Sequence, residues 1–533
     1  MRDVRRNGLK RTWDIAVVGS GFAGSLMAMI ARRLGHSVVL IERGTHPRVG
    51  IGESSTPLSN LLIEELAERY DLPAVRPLAK WGNWRRDYPN VACGLKRGFT
   101  FHHHRLGSEA AADPNREDQL LVAASPLDEI ADTHWYRADF DHLLVKEAQK
   151  LGVDYLDRVG LHKFTNESSG VVLEGRRDGE EITLRAGFVV DATGPRGFLH
   201  HALHLGERGL PGFPATQALY SHFSGVRRLA DTAFHRTSDA PPYPIDDAAV
   251  HHVFDGGWIW ILRFGNGITS AGVAATDRVA SELRFDDGAA AWERGLEQIP
   301  ALREQFATAQ AERPFTQIPR LSFRSGAIAG PRWALLPSAA GFVDPLLSTG
   351  FPLALLGIER MAATLEQDWG TAAFESSLQN YAEQTDRELL ATSGLIAALY
   401  TTMNNFPVFV ALSLLYFAAA SYSEAARRLG KPHLASSFLL CEHPAFGTAS
   451  AGLLERAQRP MTRPESAELI RDILTAIEPF NVAGLGRPER RNWNPVETSD
   501  LLDNAHKLEA TRHDVLAMLA RCGFTADSTV ESG

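Results

Sequence analysis

Three parts of this chain combine residue types and spacings that could do chemistry. A glycine-rich loop runs from Gly19 to Gly24, a turn of small and polar residues precedes Pro352, and Trp258 and Trp260 stand one residue apart. Glycine-rich loops that open a helix bind phosphate groups through backbone amides. Alternate residues of a strand share a face, so the two indoles can form one wall of a site. Together these features predict a nucleotide-dependent reaction carried out across an aromatic barrier.

The elements around the glycine loop are those of a dinucleotide-binding unit. Asp14 to Val18 is an apolar strand, Leu26 to Ala31 continues as a helix, and Ser37 to Glu42 forms the next strand. A strand, a G-x-G-x-x-G loop, a helix and a second strand within about 30 residues are much more specific than the glycines alone.

Each glycine of this loop has an expected role. Gly19 allows the tight turn, Gly21 lets the backbone approach a pyrophosphate, and Gly24 lets helix and strand pack closely. Glu42 ends the second strand, where its carboxylate can accept hydrogen bonds from a ribose diol and favours an adenosine without a 2′-phosphate. The alternative for Glu42 is an ordinary solvated strand end.

The turn before Pro352 predicts an anion site. Ser348 or Thr349 can cap a helix whose first turn contains Pro352. The unpaired N–H groups at the start of such a helix, near Thr349 and Gly350, attract anions. A capped helix without any ligand is the alternative.

Composition limits the class of protein. With 533 residues, 44% of them hydrophobic, the chain can bury one large core or about two to three ordinary ones. A net charge of −9 without a basic stripe gives no reason to expect nucleic acid. Cys93, Cys441 and Cys522 are far apart, so we expect neither disulfides nor a zinc site and place the protein in a reducing cytoplasm. The run His102 to His104 lacks metal-ligand spacing, so no metal is expected.

Residues 389–423 contain no charged side chain and are long enough to span a bilayer. Asn404, Asn405 and Pro407 divide this stretch into two segments, each shorter than the roughly 20 residues that a span requires. We therefore predict two buried helices and do not expect membrane association.

An ordered set of motifs resembles the flavin-dependent halogenases, a branch of the flavin monooxygenase superfamily. The set extends over residues 13–360, and its landmarks are Gly19 to Gly24, Gly52 to Pro57, Cys93 to Phe99, Asp191 to Gly194, the tryptophan pair and Gly341 to Gly350. The resemblance implies an α/β fold of mixed α+β type, with a Rossmann-like FAD-binding domain, a mixed substrate-side sheet and a C-terminal helical region. The expected units are a basic tail at 1–12, an FAD-binding monooxygenase/halogenase-like domain at 13–370 and the helical region at 371–533.

The family's functional residues carry over by position. Lys96 corresponds to the catalytic lysine, which holds hypohalous acid by hydrogen bonding or becomes a haloamine. Thr349 and Gly350 correspond to the halide site, and Ser348 lies toward the substrate. The positions implied for FAD binding are Gly19, Gly21, Phe22, Ala23, Gly24, Glu42, Gly52, Glu53, Ser54, Arg137, Asp344 and Gly350.

The same resemblance assigns the tryptophans and Arg137. Trp258 and Trp260 would help to keep the organic substrate away from the flavin. Arg137 and Asp141 correspond to an arginine and an aspartate on a helix near the flavin, and a surface i,i+4 ion pair is the alternative.

The local sequence supports the role of Lys96. If Leu95 to His102 is one strand, Lys96 shares a face with Gly98, Thr100 and His102 and can face a cavity of small and polar groups. Partial burial would lower the pKa of the amine from about 10.4, which favours either proposed role. A surface lysine is the alternative.

The chain departs from the family pattern at two places. Leu347 stands where tryptophan halogenases carry a glutamate, which makes the chain more similar to phenol and pyrrole halogenases. The pattern W-x-W-x-I-P continues here as Leu262-Arg263, so a charged residue replaces proline near the proposed tunnel.

The resemblance therefore implies a halogenase that uses reduced FAD, O2 and chloride or bromide to form hypohalous acid and halogenate an electron-rich phenolic or pyrrole-type ring. The resemblance also implies a separate NAD(P)H-dependent flavin reductase, and the absence of a second complete G-x-G-x-x-G unit in the chain supports this. The small aromatic substrate is either free or tethered to a carrier protein. Arg263 motivates an alternative, a monooxygenase or oxidoreductase without halide chemistry, and a flavin-binding, carrier-docking module without turnover is a third hypothesis.

Overall fold

The computed structural model describes residues 12–108, 113, 115–232 and 239–524. Its strands are β1 (Thr12–Val18), β2 (Val38–Ile41), β3 (Cys93–Lys96), β4 (Gly98–His103), β5 (Gln119–Ala123), β6 (Asp132–Trp135), β7 (Asp154–Leu156), β8 (Val159–Glu167), β9 (Gly170–Arg177), β10 (Glu180–Asp191), β11 (Thr216–Ser224), β12 (Ala249–Phe254), β13 (Gly257–Arg263), β14 (Thr269–Thr276), β15 (Gln310–Ala311), β16 (Thr316–Ile318), β17 (Phe323–Arg324), β18 (Ala329–Gly330), β19 (Trp333–Leu335), β20 (Gly341–Phe342) and β21 (Trp493–Asn494).

Its helices are α1 (Phe22–Arg33), α2 (Pro57–Arg69), α3 (Trp81–Asp87), α4 (Arg137–Lys150), α5 (Phe198–Ala202), α6 (Asp277–Leu283), α7 (Ala289–Gln298), α8 (Pro300–Gln305), α9 (Pro337–Ala340), α10 (Gly350–Gln367), α11 (Phe374–Thr402), α12 (Phe406–Arg428), α13 (Pro444–Ala457), α14 (Arg463–Ile477), α15 (Thr498–Asp503) and α16 (Arg512–Cys522). The predicted basic tail lies outside the described residues except for Thr12, which begins β1.

The first sheet carries the glycine loop. Its strand order within the described residues is β18-β19-β10-β1-β2-β7, with β9 on β10 and β8 on β9. β1 pairs in parallel with both β10 and β2. A parallel strand covered on both faces is apolar throughout, and Ile15 and Val17 are fully buried. The predicted unit of strand, loop, helix and strand is confirmed, and α1 begins directly after Gly21.

The second sheet carries the tryptophan pair. Its order among the described strands is β15-β11-β14-β13-β12-β4-β5-β21, with β16 also on β11. It is mixed, because β12 and β4 are parallel whereas β13 is antiparallel to both of its neighbours. Trp258 and Trp260 pack into the main hydrophobic core, whereas Ile259 and Ile261 pack into a second cluster with α7 and α8. The prediction that the two indoles share one face is confirmed.

The prediction that Leu95 to His102 forms one strand is wrong. β3 ends at Lys96 and β4 begins at Gly98, and the two strands pair with different partners, β6 and β12. The change of sheet at Arg97 breaks the alternation of faces, so Lys96 does not continue the face of Gly98. Its Nζ instead lies 3.7 Å from the centroid of the Phe99 ring.

The chain after α10 is helical through the described residues except for β21, which pairs with β5. α11 and α12 are separated at Met403 to Asn405, where a division was predicted. The predicted lengths are wrong: the helices have 29 and 23 residues, because each continues beyond the uncharged stretch. Two helices, Leu346–Gln367 and Phe406–Arg428, are apolar and long enough to cross a bilayer, and 72% and 83% of their apolar windows are buried within the protein.

The C-terminal helices share a core with the first sheet. One cluster of buried apolar residues extends from Trp13 in β1 to Leu508 after α15. α12 packs its aromatic side chains against β4, with 5.1 Å between the ring centroids of Phe99 and Phe417. The mixed α/β class, with its Rossmann-like unit, second mixed sheet and C-terminal helical region, is as predicted.

Candidate active site

Two cavities adjoin the residues that the sequence predicts to be functional. The larger cavity, of about 520 Å³, lies between the glycine loop, residues 48–54, the tryptophan pair and the turn at residues 344–350. The smaller cavity, of about 210 Å³, lies between α2, β4, the start of β6 and the helices α12 and α16.

Most of the predicted cofactor, halide and catalytic residues line the larger cavity. They are Gly21, Phe22, Ala23, Gly52, Glu53, Ser54, Arg137, Trp258, Trp260, Asp344, Ser348, Thr349 and Gly350. Gly19, Gly24 and Glu42 belong to the loop and strand end behind this surface. Lys96 is fully buried in the protein between the two cavities.

The glycine loop has the backbone geometry that a dinucleotide requires. Gly19 has φ +98°, and a Cβ there would stand 2.6 Å from the carbonyl oxygen of Ala192. A Cβ at Gly24 would stand 1.9 Å from the oxygen of Gly19. The first N–H groups of α1, which starts after Gly21, have no partner within the helix. Because Arg48 also lines the cavity, the residues present fit the anionic pyrophosphate of FAD.

Glu42 is not a solvated strand end. It is 8% exposed and accepts hydrogen bonds from the N–H (3.1 Å) and hydroxyl (2.8 Å) of Ser20 and from the N–H of Gly44 (2.9 Å). Burial favours a raised pKa for this carboxyl, but the hydrogen bonds and the charge of Arg48 outweigh it and hold the pKa below its usual value. Glu42 is therefore an anchored anion beside the glycine loop.

Arg137 and Asp141 form a buried pair, so the alternative of a surface ion pair is wrong. The guanidinium donates two hydrogen bonds of 2.8 Å to the Asp141 carboxylate, whose side chain is fully buried. It also donates to the carbonyl oxygens of Ile51 (3.1 Å) and Gly52 (2.9 Å). Arg137 thus ties α4 to the loop at residues 48–54 and presents a fixed positive charge to the larger cavity.

Glu53 forms a second buried pair that local sequence did not indicate. Its Oε1 lies 2.8 Å from Nε2 of His222, and both side chains are nearly inaccessible to solvent. His222 lies in β11, far along the chain, so only the tertiary structure reveals this pairing.

The two indoles are held by the layers on either side. Their ring centroids are 5.7 Å apart. Trp258 Nε1 donates to Asp344 (3.2 Å), and Trp260 Nε1 donates to the hydroxyl of Ser270 (3.3 Å). A Cβ at Gly272, which pairs with Trp260 on the next strand, would stand 2.3 Å from the Trp260 ring. The glycine therefore leaves the space that the second indole fills.

Asp344 joins the tryptophan pair to the helical region. It accepts hydrogen bonds from the hydroxyl of Tyr400 (2.9 Å), from the N–H of Leu346 (2.9 Å) and from Trp258. Burial raises the pKa of its carboxyl to about 7, although these donors oppose the rise. Tyr400 lies on α11 and is a contact that the sequence motifs did not predict.

The turn before α10 differs from a conventional cap. α10 begins at Gly350 as expected, but neither hydroxyl caps it, because Thr349 has helical rather than extended backbone angles. Leu347 and Ser348 have φ +62° and +55°, a left-handed conformation that costs about 1–2 kcal/mol per non-glycine residue. The hydroxyl of Tyr416 donates to the carbonyl of Leu347 (2.9 Å) and stabilises this turn. A Cβ at Gly350 would meet no atom within 4 Å, so this point faces open space.

Lys96 lies in the wall between the cavities, so the surface alternative is wrong. Its Nζ donates to the hydroxyl of Ser54 (3.0 Å) and to the carbonyl of Ser55. Ser54 lines the larger cavity, whereas Phe99, beneath the ammonium group, lines the smaller one. Burial lowers the pKa of the amine to about 7, although the charge of Asp132 opposes the fall.

Asp132 is a candidate that sequence reasoning missed. It pairs with Lys96 in the antiparallel register of β3 and β6 and lines the smaller cavity. Burial raises the pKa of its carboxyl to about 7, against the opposing charge of Lys96. No local signal identifies Asp132, because the pairing joins distant parts of the chain.

Arg263 does not bring a charge to the larger cavity. Its guanidinium donates to the carbonyl oxygens of Val226 (3.0 Å) and Arg227 (3.1 Å). Among the described residues that line either cavity, Leu262 is present and Arg263 is not. The side chain of Arg263 therefore does not place a charge at the proposed tunnel, although the sequence had led us to expect one.

The histidine run packs rather than converging on one point. His103 lies 3.0 Å from Asp118, whereas His104 lies 2.8 Å from His252. In the part of the chain that the structure describes, no group of three or more His, Cys, Asp or Glu side chains is placed to hold a metal ion.

Comparison with known proteins identifies the family. A tryptophan halogenase family model matches residues 100–406, and a model of an NAD(P)-binding Rossmann-like domain matches residues 17–56. Monodechloroaminopyrrolnitrin halogenase PrnC of Pseudomonas fluorescens is 28% identical over 417 residues, which cover 76% of this chain and 70% of that protein. The 1H-pyrrole-2-carbonyl-(peptidyl-carrier protein) brominase of Pseudoalteromonas luteoviolacea is 26% identical over 370 residues, or 68% of this chain and 80% of that protein.

The fold also resembles that of a solved halogenase structure. The crystal structure of halogenase PltM superposes with a TM-score of 0.77 over 90% of this chain and 99% of that chain, at 22% identity. The family model covers more than half of the chain, and the larger cavity has the glycine loop and charges that FAD requires. The protein belongs to the tryptophan halogenase family and is an FAD-dependent halogenase.

Proposed function

We propose that this halogenase passes an electrophilic halogen from the larger cavity, by way of Lys96, to an electron-rich phenolic or pyrrole-type ring in the smaller cavity. The observation that carries the proposal is the position of the Lys96 amine. It is bonded to Ser54 on the side of the larger cavity and lies over Phe99 on the side of the smaller one.

The residues of the larger cavity are suited to hold FAD and a halide. Reduced FAD, when bound, supplies together with O2 the oxidising equivalents that convert chloride or bromide to hypohalous acid. The start of α1 and Arg48 favour the pyrophosphate, and Glu42 is placed to accept hydrogen bonds from the ribose. The N–H groups of Thr349 and Gly350, at the start of α10, favour a halide ion.

An aromatic layer separates the two cavities. The Trp258 ring lies 5.2 Å from His251, and His251 stacks 5.9 Å from Phe99, which lines the smaller cavity. These rings and Trp260 keep the organic substrate out of the larger cavity. Transfer of the halogen then depends on a group between the two cavities, and Lys96 lies between Ser54 of the larger cavity and Phe99 of the smaller one.

The Lys96 amine can bind or carry the halogen because burial makes its neutral form accessible near pH 7. A neutral amine hydrogen-bonds to hypohalous acid, or reacts with it to form an N–X bond and release water. Ser54 and Ser55 fix the direction of the side chain. Attack by the ring carbon then forms the C–X bond as the O–X or N–X bond breaks.

The smaller cavity and the relatives support the proposed substrate class. The cavity is lined mainly by apolar groups, including Phe99, Phe417 and Leu485. One relative is named for a pyrrole that is bound to a carrier protein. The proposal includes a free or carrier-tethered substrate, a separate NAD(P)H-dependent flavin reductase and a cytoplasmic location.

A halogenation assay tests this function. The protein is combined with FAD, a flavin reductase, NADH, O2 and bromide or chloride, and a panel of phenols and pyrroles is screened by mass spectrometry for halogen isotope patterns. We expect Lys96→Met to lower halogenation at least 100-fold while FAD affinity and flavin oxidation change less than about twofold.

Lys163→Met, at an exposed lysine of β8, is the matched control and should leave halogenation unchanged. Hydroxylated products whose formation is independent of halide would reject the proposed chemistry. Full halogenation by Lys96→Met would reject the role of Lys96.

A further inference from the structure

Two residues that line the smaller cavity, Asp132 and Asn60, each have a buried side-chain oxygen that lacks a donor. Asp132 is 5% exposed and Asn60 is 3% exposed, and both line this cavity. The Asn60 amide donates to Oδ1 of Asp132 at 2.8 Å. Oδ2 of Asp132 and Oδ1 of Asn60 have no hydrogen-bond partner among the described residues. Because buried acceptors without donors are unfavourable, this pair favours a ligand that supplies a donor.

The other charged groups around the cavity already have partners. Glu424 accepts from Arg428 at 2.7 Å, and Lys80 lies 3.6 Å from Glu64. Asp132 differs from them, because its carboxylate is bonded to a neutral amide and one oxygen is left over. Among the described charged groups that line this cavity, Asp132 is therefore the one with an unpartnered oxygen.

The neighbours of Asp132 allow it to exchange a proton near neutral pH. It faces Lys96 across β3 and β6, and Glu424 and Arg428 face it from α12. Burial and Glu424 disfavour the carboxylate and raise the pKa of Asp132 above its ordinary value, whereas Lys96, Arg428 and the Asn60 hydrogen bond oppose the rise. A carboxyl whose pKa is raised toward the working pH is a more effective general base.

Aromatic surroundings and a buried acceptor define the ligand chemistry. Phe99, Tyr416 and Phe417 provide ring surfaces, and the acidic pair of Asp132 and Glu424 disfavours an anionic ligand at this end. A neutral ring that carries an O–H or N–H donor satisfies both conditions. Leu347, which occupies the family's glutamate position, is fully buried, and its side chain has no polar group. Its carbonyl oxygen already accepts a hydrogen bond from Tyr416.

We propose that Asp132 binds the ring-attached O–H or N–H of the substrate and accepts its proton as the ring is halogenated. The inference rests on the proposed function of Lys96 and deepens it. For a phenol, the O–H proton moves to Asp132 while the ring carbon attacks the halogen of hypohalous acid. The O–X bond breaks, its electron pair leaves as hydroxide, and the ring is oxidised as the halogen is reduced.

The resulting dienone then loses its ring C–H proton to the hydroxide, which forms water. The phenolate oxygen takes its proton back from Asp132, so the carboxylate is regenerated. The net change is phenol plus hypohalous acid to halophenol plus water, and no further reactant is required.

Two probes that differ only in the donor test this role. The holoenzyme is assayed with 1,3-dihydroxybenzene, which has ring O–H groups, and with 1,3-dimethoxybenzene, whose ring is activated but has no donor. We expect Asp132→Asn to lower kcat for the dihydroxy probe about 100-fold and to change the rate for the dimethoxy probe less than about twofold. Asp246→Asn, at a buried aspartate that binds the backbone of residues 229 and 230, is the matched control and should affect neither probe.

An equal loss with both probes would show a structural effect and overturn the inference, as would full activity of Asp132→Asn with the dihydroxy probe. Calorimetric binding of 1,3-dihydroxybenzene separates this inference from the proposed function. A roughly tenfold weaker Kd in Asp132→Asn, without halogenation by the wild type, would reject the halogenation of these phenols and still support Asp132 as the donor-binding residue. An unchanged Kd together with unchanged kcat would reject Asp132 alone.

Discussion

The two cavities differ in how their polar groups are arranged. The larger cavity is built from backbone turns and fixed charges, among them Arg48 and Arg137, which meet at the glycine loop. The smaller cavity is built from side chains of helices that pack on a sheet. Among the described charged and amide side chains that line it, Asp132 and Asn60 each have an oxygen without a hydrogen-bond partner.

Under the proposed function, this difference corresponds to the two kinds of molecule that would meet in the reaction. A dinucleotide carries phosphates, which backbone N–H groups and arginines bind without regard to the rest of the chain. An aromatic substrate offers mainly apolar area, so a single buried acceptor can determine its orientation. Lys96 lines neither cavity and lies between them. The separation of the two cavities is therefore the property to test.

Gly19→Ala should affect the larger cavity most strongly. The new Cβ would collide with the backbone at Ala192, so we expect the Kd for FAD to rise at least about 100-fold, or about 2.7 kcal/mol. Fluorescence titration measures this change, and calorimetry of 1,3-dihydroxybenzene measures the smaller cavity, which should be unaffected.

Gly35→Ala is the matched control for the backbone cost. Gly35 has φ +96°, close to the +98° of Gly19, but a Cβ there would meet no atom within 4 Å. We expect it to lose about 1 kcal/mol of stability and to bind FAD normally. Equal FAD affinity in the two variants would show that close packing of the loop does not shape the larger cavity.

Gly272→Ala should damage the barrier between the cavities and leave both in place. The added methyl group would displace the Trp260 ring and would also stand 2.4 Å from Cβ of Tyr220, with a strain of about 1–3 kcal/mol. We expect the fraction of O2 consumption that ends in halogenated product to fall about tenfold, with hydrogen peroxide as the alternative product.

Adding Trp260→Phe to Gly272→Ala provides the check, because a smaller ring makes room for the methyl group and should recover part of the coupling. Gly160→Ala, in β8, is a control because its new Cβ would meet no atom within 4 Å. Normal coupling in Gly272→Ala would show that the position of Trp260 does not separate the cavities.

Asp344→Asn should reveal the ionisation of the acid in the larger cavity. The folded protein raises the pKa of Asp344 from 3.8 to about 7, so the folded state binds the proton more tightly than the unfolded state does. Between pH 4 and 7 the wild type therefore loses stability as the pH rises, and above pH 7 this loss is complete. The asparagine variant lacks this contribution.

Urea unfolding of the flavin-free proteins from pH 5 to 8 measures the effect. The stability of the variant relative to the wild type should rise with pH up to about 7, by on the order of 2–3 kcal/mol, and then stay constant. A difference that is independent of pH would mean that Asp344 ionises with an ordinary pKa despite its burial.

The same contrast explains what the sequence could predict. The glycine loop and its flanking elements are local, and a single residue separates Trp258 from Trp260, so short-range rules were sufficient. Asp132 faces Lys96 only because β3 pairs with β6. The prediction of one strand from Leu95 to His102 failed because the residue pattern continues across Arg97, where the chain changes sheet. A change of sheet at one residue leaves no periodic signal, and side chains from distant helices, such as Tyr400, leave none either.

Arg263→Ala should have the smallest effect of these changes. The side chain binds two carbonyl oxygens away from both cavities, so its loss should cost about 1 kcal/mol of stability and change halogenation less than about twofold. Arg263 contacts the strand of Lys96 through its backbone. A Cβ at Gly94, in that strand, would stand 1.9 Å from the Arg263 carbonyl oxygen. Halogenation rates and thermal unfolding measure the two effects. A loss of more than about tenfold in halogenation at unchanged FAD affinity would show that the side chain at 263 positions β3, and with it Lys96, between the cavities.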